Sequence, residues 1–338
     1  MKITNLAILF VIIFFPFYFV LDTHAANLKE VNQLNDQYTT FLRTATQDAG
    51  KMLNQNELQD FEAEYQSHKF FNANKDLAVD TFFRTLYLNF GISGDPIGQG
   101  ALAAYIPVVL VIDYDGYHIY AIDEYKDKDG QTIFKHMWRP KKPYSYSDSN
   151  GNSINFTLDS YVHAYDASTR KWVQGYQEDL KGQTNIPLLN GNDTDNFDNE
   201  RRSIIVKSIQ EDLTLLINKH NEYAMRYGIS YTFKLPLIPQ EEWTNTIDDI
   251  GIMSFVQGIP VGDRYYNNYA FGGGRLVKKP VVYGVIDDNT GIKYYYREAC
   301  GWVDYRVIET FGSEKDAAAA GYFPLNTPME CINMPKPR

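Results

Sequence analysis

Residues 3–53 read ITNLAILFVIIFFPFYFVLDTHAANLKEVNQLNDQYTTFLRTATQDAGKML, and this stretch decides the architecture. Ile3 to Leu21 carries no charge, and from Leu6 it is almost wholly apolar. Nineteen residues at 1.5 Å each span about 28 Å as a helix, close to the hydrocarbon core of a bilayer. From Asn27 to Leu53 the pattern turns amphipathic, with Gly50 the first turn-former. Leu28, Val31, Leu34, Tyr38, Phe41, Ala45, Ala49 and Met52 recur at intervals of three and four, which is one helical face. The reading is a membrane helix over 1–25 that continues into a helical stalk over 26–70. Pro16 lies within the apolar run and is expected to kink it. The stripe Leu28, Val31, Leu34, Tyr38 and Phe41 could pack on its own body, on a second copy or on a partner helix. Continuity with the membrane segment favours an assembly face.

Lys2 and the amino terminus precede the apolar run, and Asp22 follows it, which places the body outside the cytoplasm. A secretory signal peptide cleaved after Ala25 is the competing reading, since Thr23-His24-Ala25 suits a small-residue cleavage site. Asp22 and the length of the apolar run weigh toward a retained single-pass anchor.

The chain has 338 residues and a net charge of −10, which argues against a nucleic-acid partner. Aromatic residues make up 15%, with 26 Tyr, a composition suited to strand-rich extracytoplasmic domains. Cys300 and Cys331 are a candidate disulfide in an oxidising compartment, two buried thiols being the other reading.

Beyond the stalk, 56–65 and 76–90 read as helices, the second stopped by Gly91. Pro96-Ile97-Gly98 reads as a break. Ala104 to Ile112, Tyr117 to Tyr125 and Gln131 to Trp138 read as a three-stranded antiparallel meander across two Asp-rich turns. Arg139 to Asn152 reads as loop, 153–157 as a short strand and 159–165 as a helical turn. The polar segment 181–199 is the expected internal boundary, dividing a body over 71–190 from a C-terminal region over 191–338. In that second region 200–227 reads as a long helix, 229–238 as a strand interrupted by Pro236, and 241–256 as a helix. Residues 265–274 read as irregular, 281–286 and 292–297 as strands, and 313–321 as a short helix. Mixed strands and helices without regular βαβ spacing indicate an α+β fold.

No constellation points to catalysis or to a cofactor. Asp113, Asp115, Asp127 and Asp129 sit at hairpin tips, where the turn itself demands Asp-Gly. Asp148, Asn150, Asn152 and Asp159 meet only part of a calcium-loop pattern, Ser153 standing where Gly is required. Asp193, Asp195, Asp198 and Glu200 complement a helix N-terminus. The six histidines are dispersed. Gly272-Gly273-Gly274-Arg275 lacks the Lys-Ser/Thr of a phosphate loop.

Three segments carry a resemblance: Met1 through Ala45-Thr46-Gln47-Asp48-Ala49; Tyr105-Ile106-Pro107-Val108-Val109 with Asp115-Gly116-Tyr117, Pro140-Lys141-Lys142-Pro143-Tyr144 and Asn155-Phe156-Thr157-Leu158; and Lys293-Tyr294-Tyr295-Tyr296 with Cys300, Gly321-Tyr322 and Pro324. Together they resemble pilin-like, membrane-anchored proteins of Gram-positive bacteria found with Tad-like or type IV filament secretion machinery. The last segment resembles a small cysteine-containing end module, with Arg297 where such modules carry His, which weighs against a metal. The Gly-cleaved leader and the following Phe and Glu of true prepilins are absent from this sequence. The resemblance implies a non-enzymatic subunit or accessory component of a cell-surface filament or secretion apparatus, partnered through its N-terminal helix. The alternative is an anchored or secreted binding protein whose aromatic surface holds a ligand such as a polysaccharide.

Overall fold

A computed structural model describes residues 3–54, 73–191, 194–273, 282–287, 290–297, 307–311 and 314–325. The helix read over 56–65, Cys300 and Cys331 lie outside these residues. Two compact units divide the chain, Met1–Leu276 and Val277–Arg338. Both combine helix with sheet, wholly antiparallel in the first and mostly so in the second, where the last strand pairs parallel, so the α+β class holds.

The first unit opens with α1 (Ile3–Met52), a single helix of 50 residues with Pro16 inside it. Residues 10–27 are exposed, and burial begins on the stripe that starts at Leu28. Next come α2 (Lys75–Asn89) and α3 (Pro96–Ala103). Asn74 caps α2 by accepting the Leu77 N–H, and Gly91 ends it at φ 71°. The expected break at Pro96 is a helix start instead. Asp95 accepts the Ile97 N–H, and proline in the first turn forfeits a donor that has no partner there.

The meander is present as β1 (Val108–Asp113), β2 (Gly116–Lys126) and β3 (Thr132–Trp138). Ala104 belongs to the end of α3 rather than to the strand. The segment read as loop contains β4 (Lys142–Ser147), where Tyr144 points into the core between exposed neighbours. β5 (Ser153–Phe156) follows, and the helical turn expected at 159–165 is β6 (Tyr161–Asp166), paired with β7 (Lys171–Tyr176). Short helices α4 (Gln177–Leu180) and α5 (Pro187–Asn190) lead to α6 (Thr194–Arg226), which Gly228 stops at φ 76°.

The helix expected over 241–256 ends early as α7 (Gln240–Thr246), and β8 (Gly251–Val261) takes its second half. The first eight residues of β8 are buried, so the alternation that marks a one-sided strand is missing. The segment read as irregular is β9 (Arg264–Gly273), paired with β8 along its length. The strand expected at 229–238 is not formed.

These strands make one nine-stranded sheet in the order β7-β6-β5-β4-β2-β1-β8-β9, and β3 also pairs with β2. All pairings in it are antiparallel. β3 and β4 share one edge of β2: β4 holds Gly116 and Tyr117, and β3 holds Tyr120 to Lys126. The expected boundary at 181–199 lies inside this unit, because β1 pairs with β8 across it. Side chains separate onto two faces. Tyr117 reaches α6 through its hydroxyl, and Tyr120, of opposite parity, packs on Phe83 of α2.

The second unit holds β10 (Val282–Ile286), β11 (Lys293–Arg297), β12 (Val307–Phe311), α8 (Glu314–Ala319) and β13 (Phe323–Pro324). Its four strands run in the order β12-β10-β11-β13. Val282, Ala317 and Tyr322 form its small core.

Candidate functional site

The C-terminal half of α1 lies on β8 and β9, and the contact is close enough to involve main chain. A Cβ placed on Gly272 would fall 1.9 Å from the carbonyl oxygen of Thr46, and one on Gly50 would fall 2.8 Å from the carbonyl carbon of Gly272. Glycine is required at both positions because helix and strand backbones touch. Thr46 Oγ1 lies 2.9 Å from Ser254 Oγ and donates to the Leu42 carbonyl at 2.8 Å. Two helical turns nearer the N-terminus, Asn268 donates to Thr39 Oγ1 at 3.0 Å. Nearer still, the β8–β9 turn meets the helix at Val31, whose Cγ2 would be 2.6 Å from a Cβ on Gly262.

Val31, Leu34, Tyr38 and Phe41, the stripe read as an assembly face, pack against the core of their own unit. Tyr38 meets Phe90 at 5.0 Å and Tyr266 edge-on at 5.6 Å, and Phe41 meets Phe90 at 5.2 Å. Leu28 is half-buried. The apolar half differs. Phe10 to Leu21, Pro16 included, are all exposed; Phe17, Tyr18 and Leu21 are 67–68% exposed. This helix is long and apolar enough to cross a membrane.

A second feature is a cleft of about 630 Å³ between α6 and the sheet. It opens where β3 leaves the edge of β2 and β4 takes over. Ile119, Leu215, Leu216 and Pro140 give it an apolar floor. Its rim is ion-paired: Arg139 lies 2.8 Å and Lys219 2.6 Å from Asp123, and Lys142 lies 2.7 Å from Asp212. Tyr117 donates to Asp212 at 2.7 Å. Burial first, and then the Asp212 carboxylate, push the Tyr117 hydroxyl well above its ordinary value, so it remains a donor.

Two histidines clamp the link between α3 and β1. His136 Nε2 lies 3.0 Å from the Ile106 carbonyl, and His220 Nε2 lies 2.9 Å from the Ala104 carbonyl. Burial pushes each down to about 4, so both are neutral near pH 7 and donate from Nε2.

The carboxylates at the turns close backbone. Asp127 accepts the N–H groups of Asp129 and Gln131, and Asp148 those of Asn150 and Asn152. Among the described residues no group of three or more His, Cys, Asp or Glu is placed to hold a metal ion. Asp113 is different, because it is buried and faces Lys141 at 3.3 Å. The sequence marked Asp113 as a turn residue and Lys141 only as part of the Pro140-Lys141-Lys142-Pro143-Tyr144 segment. Nothing in the spacing joined them, since the contact depends on β4 lying beside β2. No family model matches this chain, and neither a curated protein nor a solved structure matches it.

Proposed function

We propose that the chain is a non-enzymatic, pilin-like subunit or accessory component of a bacterial cell-surface filament or secretion apparatus. In this reading the apolar half of α1 is a single-pass anchor and the body stands outside the cytoplasm. The carrying observation is that α1 runs unbroken from an uncovered apolar half into a half seated on β8 and β9. A tether needs only a linker. A subunit that must present a fixed face to its neighbours needs its body held rigidly to the helix they share. Because Val31 to Phe41 are occupied by their own body, contacts with partner helices fall to the uncovered segment from Phe10 to Leu21.

The test places single cysteines at Val11, Phe14 and Tyr18 in a chain whose own cysteines are serine, and oxidises intact membranes. Disulfide-linked adducts with a second copy or with another membrane protein are expected at one or more positions. Absence of adducts at all three, with the chain in the membrane fraction, defeats the subunit reading. External protease should degrade the body in intact cells.

One observation favours the binding-protein reading. Trp172 on β7 is 57% exposed and stacks on His163 at 4.7 Å, with Tyr165 beside it at 5.3 Å. Such an aromatic platform suits the apolar face of a sugar ring.

A further inference from the structure

The turn between β1 and β2 brings one amine and two carboxyl groups together under aromatic cover. Lys141 Nζ lies 2.6 Å from Asp115 Oδ1 and 3.3 Å from Asp113 Oδ2. The side chains of Lys141 and Asp115 are 19% and 12% exposed, and Asp113 has no exposure. Asp113 Oδ1 accepts the N–H groups of Tyr114 at 2.9 Å and Ala73 at 3.2 Å. Its Oδ2 lies 3.7 Å from His118 Nε2. Tyr144, fully buried, donates to the Asp113 carbonyl at 2.9 Å, and the Tyr117 ring stacks on it at 5.9 Å.

Main chain, rather than side-chain rotamers alone, sets this meeting. β2 pairs with β4 through Gly116 with Pro143 and Tyr117 with Lys142. A Cβ on Gly116 would fall 2.5 Å from the Lys142 carbonyl oxygen, so the two backbones are in contact. Lys141 and Asp115 flank that contact, so strand pairing brings their backbones side by side. An amine and a carboxyl group therefore meet in a turn that holds little water. Those are the two functional groups that condense to an amide, here at contact distance.

We propose that Lys141 and Asp115 become joined by an amide bond between Nζ and the Asp115 side-chain carbonyl, with Asp113 as the catalytic proton carrier. A proton passes from Nζ to the Asp115 carboxylate across their contact, the Nζ lone pair then attacks Cγ, and the C–N bond forms. Asp113 accepts a proton from Nζ and delivers it to the departing hydroxyl. The C–O bond breaks and one water leaves. One amine and one carboxylic acid are consumed, and one amide and one water are produced, with no change of oxidation state. His118 is a positioning residue that holds the Asp113 carboxylate. Against the upward push of burial, the charge of Lys141 and the Tyr114 N–H hold Asp113 below the ordinary carboxylate range, so it stands ionised beside Nζ.

The test needs no variant at first. The full chain, purified from membranes and denatured, should weigh one water less than its sequence. Trypsin should yield residues 85–126 joined to residues 136–170, because an acylated Lys141 is not cleaved. This map does not depend on where the mature N-terminus lies. Lys141→Arg should restore the missing water, and Asp113→Asn should fold yet keep the two peptides separate. A full mass with a free peptide ending at Lys141 overturns the proposal. A link mapped to Asp113, or an Asp113→Asn chain that still loses water, overturns the assigned roles.

Discussion

Thr46 on α1 and Ser254 on β8 share a hydrogen bond of 2.9 Å between two fully buried hydroxyls, 208 residues apart in sequence. Each is the other's means of tolerating burial. Thr46→Val should leave the Ser254 hydroxyl without this partner and cost about 1–3 kcal/mol. Gly272→Ala, a few ångströms away, should cost more, because the intruding methyl meets backbone that cannot rotate aside. Thermal unfolding of the detergent-solubilised chain measures both. Equal stability of the Gly272→Ala chain and the parent would show that α1 is not seated as described.

The two histidine clamps predict acid sensitivity. Both groups fall from the ordinary 6.5 to about 4 on folding. Between those values the unfolded chain binds more protons, so stability rises with pH. The contribution is complete above the ordinary value and is lost as pH falls from 6.5 toward 4, on the order of 3 kcal/mol per histidine. Melting temperature should be flat above neutrality and should decline across that window. His220→Gln, which keeps a donor for Ala104 and cannot titrate, should shallow the decline. Asp166 acts in a lower window. Hydrogen bonds from the Asn185 N–H and the Ser168 hydroxyl bring it to about 2, so its contribution disappears only as pH falls from 3.8.

The extended segment after α6 is held by two side-chain amides. Asn221 bonds both backbone groups of Phe233, and Gln257 both those of Lys234. Gln257→Leu should strand those Lys234 groups and cost about 2–3 kcal/mol. It should also raise amide exchange across 229–238 before exchange rises in β1. Unchanged protection there would contradict the clamp.

The ligand-binding reading rests on Trp172. If the aromatic platform holds sugar rings, Trp172→Ala should abolish retention on a glycan surface while changing stability by less than about 1 kcal/mol. Retention that persists, or that the parent never shows, removes that reading.

The sequence was most legible where one face meets solvent. The helical stripe of α1, the meander and the stop at Gly91 follow directly from period and turn chemistry. β8 was misread because it is buried on both sides and carries no alternation to count. β4 was hidden by Pro143 and by serines that mimic a loop, although Tyr144 and Tyr146 alternate with them. At 229–238 the apolar pattern suggested a strand, but Pro236 and Pro239 cannot donate to a ladder, and the backbone is satisfied by Asn221 and Gln257 instead. Lys141 and Asp115 were individually visible, but their meeting is a product of strand order, which local pattern does not encode.

The unbroken course of α1 makes the molecule a lever. From Leu21 to Met52 the helix extends about 45 Å, with its distal half fixed to β8 and β9. A lean of about 10° in the apolar segment therefore swings the far end of the helix through roughly 8 Å. Through this helix, a lean of the segment from Phe10 to Leu21 is carried to the sheet.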